Sequence, residues 1–450
     1  MNGSLQSRLQ RALKKFGTDR EYSELVRTSF FALLVRMTGV FTGFLVTLLT
    51  SRYFGADALG IVAICLAILS FASVFGKAGL DVALMKYIAG FTLNKNYAGI
   101  KSVYLSALKI IFPVSLVVSI CLFLLAPWMA ADLLHKPLLT NLLRVNAWLA
   151  LPLVFLLINS ESIRRLKKIK TYTFLQTVSV SLIATVLLIF FSFRKSGNDI
   201  PAYVQFISIG VAGILSTFLW IKYSRFNSYK AEGNISSREL FRTSSSMFTT
   251  TLMQLTMSWA GTLILAAYVS EAEVGIYNAL IRISVFTNVT ILAVNSFSMP
   301  RFAESFATQK YDAMKKLAGE SARLIFLTSL PIFLVLALFP QWILSIFGKE
   351  FPGNENALYI LLAGQFIVCF CGLPSQILNM AGRQDVLRNI AVFSAIINVL
   401  LCIFLIPPYG LMGACYAQLG GTFIWNLLSL LSVKKHFGFY GFFNLSFKDK

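Results

Sequence analysis

Histidine is nearly missing from this chain: His135 and His436 are the only two among 450 residues. A histidine-rich metal site or a His-based triad has too few residues to build. Acidic side chains are scarce as well, 19 Asp and Glu against 40 Lys and Arg, and only 13% of the chain is charged. No long polar stretch could fold as an aqueous domain, and no strand alternation competes with the apolar runs. The six cysteines (65, 121, 369, 371, 402 and 415) all lie in those runs. None has the loop spacing of a zinc or redox pair, so they read as small packing residues. What remains is 57% hydrophobic, above the roughly 45–50% of soluble domains. The composition is that of an integral membrane protein.

Twelve apolar segments are long enough, at ~1.5 Å per residue, to cross the ~30 Å hydrocarbon core. They fall near 29–50, 58–76, 106–126, 145–163, 173–193, 202–221, 245–268, 274–297, 324–346, 356–379, 389–406 and 411–432. The expected fold is an all-α membrane protein with twelve transmembrane helices in two pseudo-symmetric six-helix lobes. Residues 28–222 form the N-lobe, 223–243 a cytosolic linker, 244–433 the C-lobe and 434–450 a cytosolic tail. Residues 1–27 lack the apolar core and cleavage site of a signal peptide. There Leu5, Leu9, Leu13 and Phe16 share a helical face, with Arg8, Arg11, Lys14 and Lys15 largely opposite. That pattern predicts a basic amphipathic helix on the inner leaflet.

Orientation follows from the basic residues in short loops. With the N-terminus inside, 31 Lys and Arg fall in cytosolic segments, six in outer loops, and three within spans: Arg36, Lys109 and Arg282. This asymmetry explains the net charge of +21 as topology, with no need for a nucleic-acid partner. A weak repeat supports two halves. Asp57-Ala-Leu-Gly60-Ile opens the second span and Ala272-Glu-Val-Gly275-Ile the eighth, 215 residues on. Six spans per half is an even number, so the halves share orientation and a site is expected between them.

Polar residues inside the spans mark the candidate site. An arginine at mid-span costs roughly 2.5–3.5 kcal/mol on insertion scales, so it faces protein or water. Arg36 shares a helical face with Gly39, Gly43 and Thr47; it either lines a polar cavity or snorkels to the headgroups. Gly39 and Gly43 form a GxxxG that lets another backbone approach. Arg282 lies deeper, ~12 Å into its span, with Asn278 on the same face. In the seventh span Thr250, Gln254 and Ser258 form one polar stripe, available either to a cavity or to interhelical hydrogen bonds. Asn288 and Asn295 read as interhelical glue. Lys77, Asp81 and Lys86 at the inner end of the second span, with Arg301 after the eighth, are candidates for a cytosolic gate. No metal site or cofactor is expected.

The motif Tyr53-Phe-Gly-Ala-Asp-Ala-Leu-Gly60-Ile, followed by Ala78-Gly-Leu-Asp-Val-Ala-Leu-Met-Lys-Tyr-Ile-Ala89, resembles the amino-terminal signature of the polysaccharide flippases. Glu273-Val-Gly-Ile-Tyr277 with Pro300-Arg-Phe302 is similar to that of their second half. Ala381-Gly-Arg-Gln384, Asn398 and Ile406-Pro-Pro-Tyr-Gly410-Leu-Met-Gly-Ala414 resemble the family's carboxy-terminal series. The first signature departs at Lys86, where the family carries Arg, and the second is loose outside Val274–Tyr277. The resemblance covers nearly the whole chain and points to the Wzx-like branch of the MOP (multidrug/oligosaccharidyl-lipid/polysaccharide) exporters. It implies a V-shaped bundle of two lobes with alternating access, in the bacterial inner membrane. The implied substrate is an undecaprenyl-diphosphate-linked oligosaccharide, flipped from the cytosolic to the periplasmic leaflet. A polysaccharide polymerase and its chain-length machinery are candidate partners. In this reading Arg36 and Arg282 meet the diphosphate, and Thr250, Gln254, Ser258 and Asn278 the sugar hydroxyls. The competing readings are a drug exporter of the same superfamily and a membrane-bound polymerase or glycosyltransferase. The first calls for cavity carboxylates, and the second for a catalytic aqueous loop.

Overall fold

The computed structural model describes residues 20–94, 96–192, 197–226, 228–229 and 237–443, without the side chains of 20–33, 82, 83, 86 and 237–247. The amphipathic stretch from Leu5 to Phe16, linker residues 230–236 and the tail beyond 443 lie outside the described residues. Among the described residues every regular element is helical. The N-lobe contains α1 (Arg20–Lys77), α2 (Leu80–Leu93), α3 (Tyr97–Trp128), α4 (Thr140–Trp148), α5 (Ala150–Arg165), α6 (Ile169–Thr173), α7 (Ser179–Ser192) and α8 (Ile200–Tyr223). The C-lobe contains α9 (Ser237–Tyr268), α10 (Glu271–Val285), α11 (Val289–Ala307), α12 (Tyr311–Leu338), α13 (Pro340–Phe347), α14 (Glu355–Cys371), α15 (Pro374–Met380) and α16 (Gln384–Phe437).

Among the described residues eight helices are long and apolar enough to cross a membrane, or nine if bent α14–α15 is one span. This differs from the twelve separate spans read from the sequence. The difference lies partly at two glycines. Helix α1 contains a non-helical Gly55 (φ 88°, ψ 173°), and α16 a non-helical Gly410 (φ 55°, ψ −129°). A residue without Cβ holds such a conformation cheaply, so two spans meet there with no intervening loop. In α16 the Asn398 Nδ2 donates to the Ala417 carbonyl at 3.1 Å. Nineteen residues of straight helix would separate them by ~28 Å, so the chain doubles back. Pro407 and Pro408 remove backbone donors just before the turn. The polar α9, expected to span at 245–268, is not among the eight.

Large apolar side chains point outward all around the bundle: Leu124, Ile214 and Phe404 are each about 70% exposed. In water such a surface would be an association hazard; against acyl chains it is the natural face. Polar groups turn inward and pair. Tyr104 on α3 donates to Asn159 Oδ1 on α5 at 2.6 Å. Asn159 Nδ2 donates in turn to Ser216 and Thr217 on α8 at 3.3 and 3.1 Å. These interhelical bonds fasten the N-lobe where apolar packing alone gives little preference over lipid. In the C-lobe, Phe443 N–H donates to the Phe370 carbonyl at 2.9 Å, docking the end of the described chain on α14.

The lobes meet where the sequence repeat lies. A Cβ on Gly60 would strike the Glu271 carbonyl and come within 3.1 Å of Gly275 N; one on Gly275 would strike the Ala56 carbonyl and come within 2.9 Å of Gly60 N. The contact is reciprocal, as a two-fold axis between equivalent glycines requires. Around it the loops interlock in the same reciprocal way. Glu350 Oε2 accepts from the Ala56 N–H at 2.8 Å, capping the second half of α1, and Arg52 donates to the Ile346 carbonyl at 3.1 Å. From the other lobe Lys136 donates to the Val269 carbonyl at 2.7 Å and lies 3.6 Å from Glu271 at the start of α10.

Candidate substrate cavity

Between the lobes lies a cavity of ≈ 440 Å³. Its walls come from both halves of α1 (Gly39, Gly43, Thr47 and Thr50; Leu59, Val62 and Leu66) and from Gln176, Thr177 and Ser181 at the α6–α7 junction. Gln205 of α8, Ser258 and Trp259 of α9, and Asn278 and Arg282 of α10 complete them. Gly39 and Leu66 would stand ~40 Å apart on a straight helix; folding at Gly55 brings both to one chamber.

Local chemistry places each wall. Ser270 caps α10, its hydroxyl accepting from the Glu273 N–H at 3.3 Å, a Ser-x-x-Glu start with Glu271 and Glu273 in the first turn. Arg282 stands eleven residues after Glu271, ~16 Å along the helix axis. It is exposed to the cavity while its neighbours Leu280, Ile283 and Ser284 are buried. A 3₁₀ turn, Phe286–Asn288, interrupts the helix directly after it. Asn278, one turn earlier, donates to the Val274 carbonyl at 2.8 Å and is reached by Thr262 Oγ1 at 3.4 Å. Across the cavity Phe174–Val178 is a π-helical turn. The extra residue in such a turn re-aims side chains, and here Gln176 and Thr177 face the chamber.

Arg282 is the one charged residue among the described lining residues, none of which is Asp or Glu. Nor does Arg282 form an ion pair among the described residues. A fixed cation, carboxamides (Gln176, Gln205, Asn278) and hydroxyls suit an anionic, hydroxyl-bearing ligand.

The sequence-derived residues separate on this map. Arg282, Asn278 and Ser258 line the central cavity. Gln254 lines a second cavity inside the C-lobe, to which Ser258 also belongs. Thr250 and Arg36 line neither. Arg36 is half-buried, one turn before Gly39. The two glycines that follow it differ: a Cβ on Gly39 would crowd the Thr177 carbonyl at 2.5 Å, whereas nothing lies within 4 Å of one on Gly43. Both glycines line the cavity, but only Gly39 is also a packing contact. At the candidate gate Lys77 pairs with Asp81 at 3.0 Å, four residues on, across the break at Gly79. Arg301 stacks 3.7 Å over the Phe297 ring. The Lys86 side chain lies outside the described residues. Gln176, Thr177, Ser181 and Gln205 were missed. The available signal at Gln176 and Gln205 was a lone carboxamide within an otherwise apolar span.

Comparison with known proteins fits this geometry. A family model described as polysaccharide biosynthesis protein matches residues 25–306, and a second, MatE, matches residues 246–404. An uncharacterized membrane protein of Methanocaldococcus jannaschii is 24% identical over 82% of this chain and 76% of its own length. A Haloferax volcanii protein described as a probable low-salt glycan biosynthesis flippase is 25% identical over 50% of this chain; the match spans about half (47%) of that relative. Among solved structures, a multidrug resistance MATE family transporter of the MOP superfamily in an inward-facing conformation superposes with a TM-score of 0.75. It is 15% identical and covers 91% of this chain and 98% of its own. A MOP superfamily transporter from Pyrococcus furiosus, described as having a binding pocket of reverse polarity, gives 0.66 at 16% identity over 92% of this chain and 95% of its own. With its family model matching more than half of its length, the chain belongs to the polysaccharide biosynthesis protein family.

Proposed function

We propose that this protein flips a polyprenyl-diphosphate-linked oligosaccharide, the undecaprenyl-linked repeat unit of a surface polysaccharide, from the cytosolic to the periplasmic leaflet of a bacterial inner membrane. The observation that carries the reading is Arg282, a mid-membrane cation facing a polar interlobe cavity whose described lining holds no carboxylate. Moving a diphosphate through hydrocarbon is prohibitive unless cations and hydrogen-bond donors replace its water. Arg282 supplies the charge, with Asn278 and Ser258 beside it. Arg36 approaches the same chamber from the first half of α1, and a modest rotation of that segment would present it. The polyprenyl tail stays in lipid, reaching the headgroup through a gap between lobes. No covalent bond changes; the work is alternating exposure of one site, the usual consequence of two repeats rocking about a shared axis.

The paired loops at Glu350–Ala56 and Lys136–Glu271 close the end assigned as periplasmic, while Lys77, Asp81, Lys86 and Arg301 mark the cytosolic entrance. Both termini lie in the cytosol. A polysaccharide polymerase would receive the product on the far side. The MatE match to residues 246–404 keeps a drug exporter as the second reading. Cationic drugs call for carboxylates, and a fixed arginine repels them.

Vesicles containing the purified full chain test the function directly, with a lipid-linked oligosaccharide in the inner leaflet and an impermeant sugar-modifying reagent outside. Flipping is expected in wild type, none in Arg282→Glu at equal insertion, and partial activity in Arg282→Lys. Full activity of the Glu variant would remove Arg282 from the mechanism. Efflux of cationic dyes without lipid flipping would favour the drug exporter.

A further inference from the structure

A second cavity, ≈ 430 Å³, lies wholly within the C-lobe, between α9, α11, the α14–α15 bend and the second half of α16. Among the described residues, none that lines it is charged. Five carboxamides line it: Gln254, Asn295, Gln376, Gln418 and Asn426, with Trp425 beside them. Its volume is within the ~300–1,000 Å³ range of small-molecule sites. Ser258 borders both this cavity and the central one, so the two adjoin.

We infer that this C-lobe cavity is the carbohydrate subsite, holding the sugars nearest the diphosphate while Arg282 holds the diphosphate itself. This rests on the flippase reading above and adds a division of labour to it. The chemistry of the lining narrows the occupant. An anion would be left without a cation, and an organic cation without a carboxylate. An apolar molecule would desolvate the amides and return no hydrogen bonds, an unfavourable exchange. Sugar hydroxyls both donate and accept, and a carboxamide offers both functions on one side chain. The indole adds a flat apolar face, suited to the C–H face of a pyranose, and one N–H donor. Asn295, one of the lining amides, has its Oδ1 buried with no partner among the described residues. Asn426, 6% exposed, is held by its Nδ2 on the Thr422 carbonyl at 2.9 Å, so one of the amides is fixed in place before anything binds. The glycan selectivity of this transporter therefore resides in the C-lobe, on residues that never meet the phosphates.

The test uses the full chain in nanodiscs and two kinds of probe: bare undecaprenyl diphosphate, and a panel of undecaprenyl-diphosphate-linked oligosaccharides. Wild type is expected to bind at least one glycosylated member about tenfold more tightly than the bare lipid, the effect of one or two hydrogen bonds. In the double variant Gln376→Leu, Gln418→Leu that advantage disappears while bare-lipid affinity stays within about twofold, which also shows that the fold is intact. Should the double variant lose both ligands, Gln418→Glu replaces it, with the same loss of sugar preference expected. Retention of the preference in the folded variant overturns the inference, as does a wild type that binds glycosylated and bare lipid equally. A wild type that binds neither lipid overturns the flippase reading itself.

Discussion

At mid-membrane depth a guanidinium costs roughly 2.5–3.5 kcal/mol on insertion scales, and Arg282 has no carboxylate partner among the described residues to offset it. In the proposed function the cavity offsets it, by keeping the side chain wet until an anion arrives. Neutralising Arg282 with Gln should slow flipping by about tenfold or more, the effect of one charge-assisted contact. Arg36→Gln should cost less, because Arg36 lies outside the lining of either cavity; initial flipping rates in vesicles compare the two. The adjacent glycines give a second contrast. Gly39→Ala places a methyl against the Thr177 carbonyl, whereas Gly43→Ala points into open space. Overpacking costs about 1–3 kcal/mol, so the first variant should lower the melting temperature in detergent and the second leave it nearly unchanged.

Among the elements, α1 and α10 do most to shape the site. Each begins a segment at the lobe junction, at Ala56 and Glu271, and each then runs past the central cavity. Their crossing at Gly60 and Gly275 is close enough that only hydrogen fits there, so the junction can act as a pivot. The Glu350 carboxylate on the Ala56 N–H adds a charge at a helix N-terminus, worth ~0.3–1 kcal/mol. The partly exposed Lys136–Glu271 pair adds ~0–1 kcal/mol. Removing both by Glu350→Gln with Lys136→Ala should shift the population toward the outward-open form by roughly fivefold, about 1 kcal/mol. A cysteine at Thr50, labelled by an impermeant maleimide from the periplasmic side, reports it; an unchanged labelling rate would show that the loops do not hold that end shut.

Taken whole, the molecule is two lobes with apolar outer surfaces and polar contacts concentrated inside. Its basic residues are expected to set its orientation. Reporter fusions after Gln309 should behave as cytosolic and those after Lys136 as periplasmic, the pattern that 31 inner against six outer Lys and Arg predict. The reverse pattern would invert both the proposed gate and the direction of transport. The two cavities, one cationic between the lobes and one neutral within the C-lobe, match the two chemically unlike parts of a lipid-linked sugar.

Membrane residence, the helical class and the two halves were legible in the sequence. Each depends on a local quantity: the apolar length of a segment, the charge of a loop, or a count of residues along a helix at 1.5 Å each. The Gly60 and Gly275 motifs were legible as a repeat, but not as two halves of one contact. Which helix faces form a cavity is a property of neighbours hundreds of residues away, and only packing decides it. Hence Arg36 and Thr250, on faces as polar as their neighbours', line neither cavity, while Gln176, Gln205, Gln376 and Gln418 do. The breaks expected between spans 29–50 and 58–76, and between 389–406 and 411–432, coincide with the non-helical Gly55 and Gly410. A glycine at φ 88° or 55° turns a helix with no polar loop to mark the place, and whether the chain bends there depends on what the returning segment packs against.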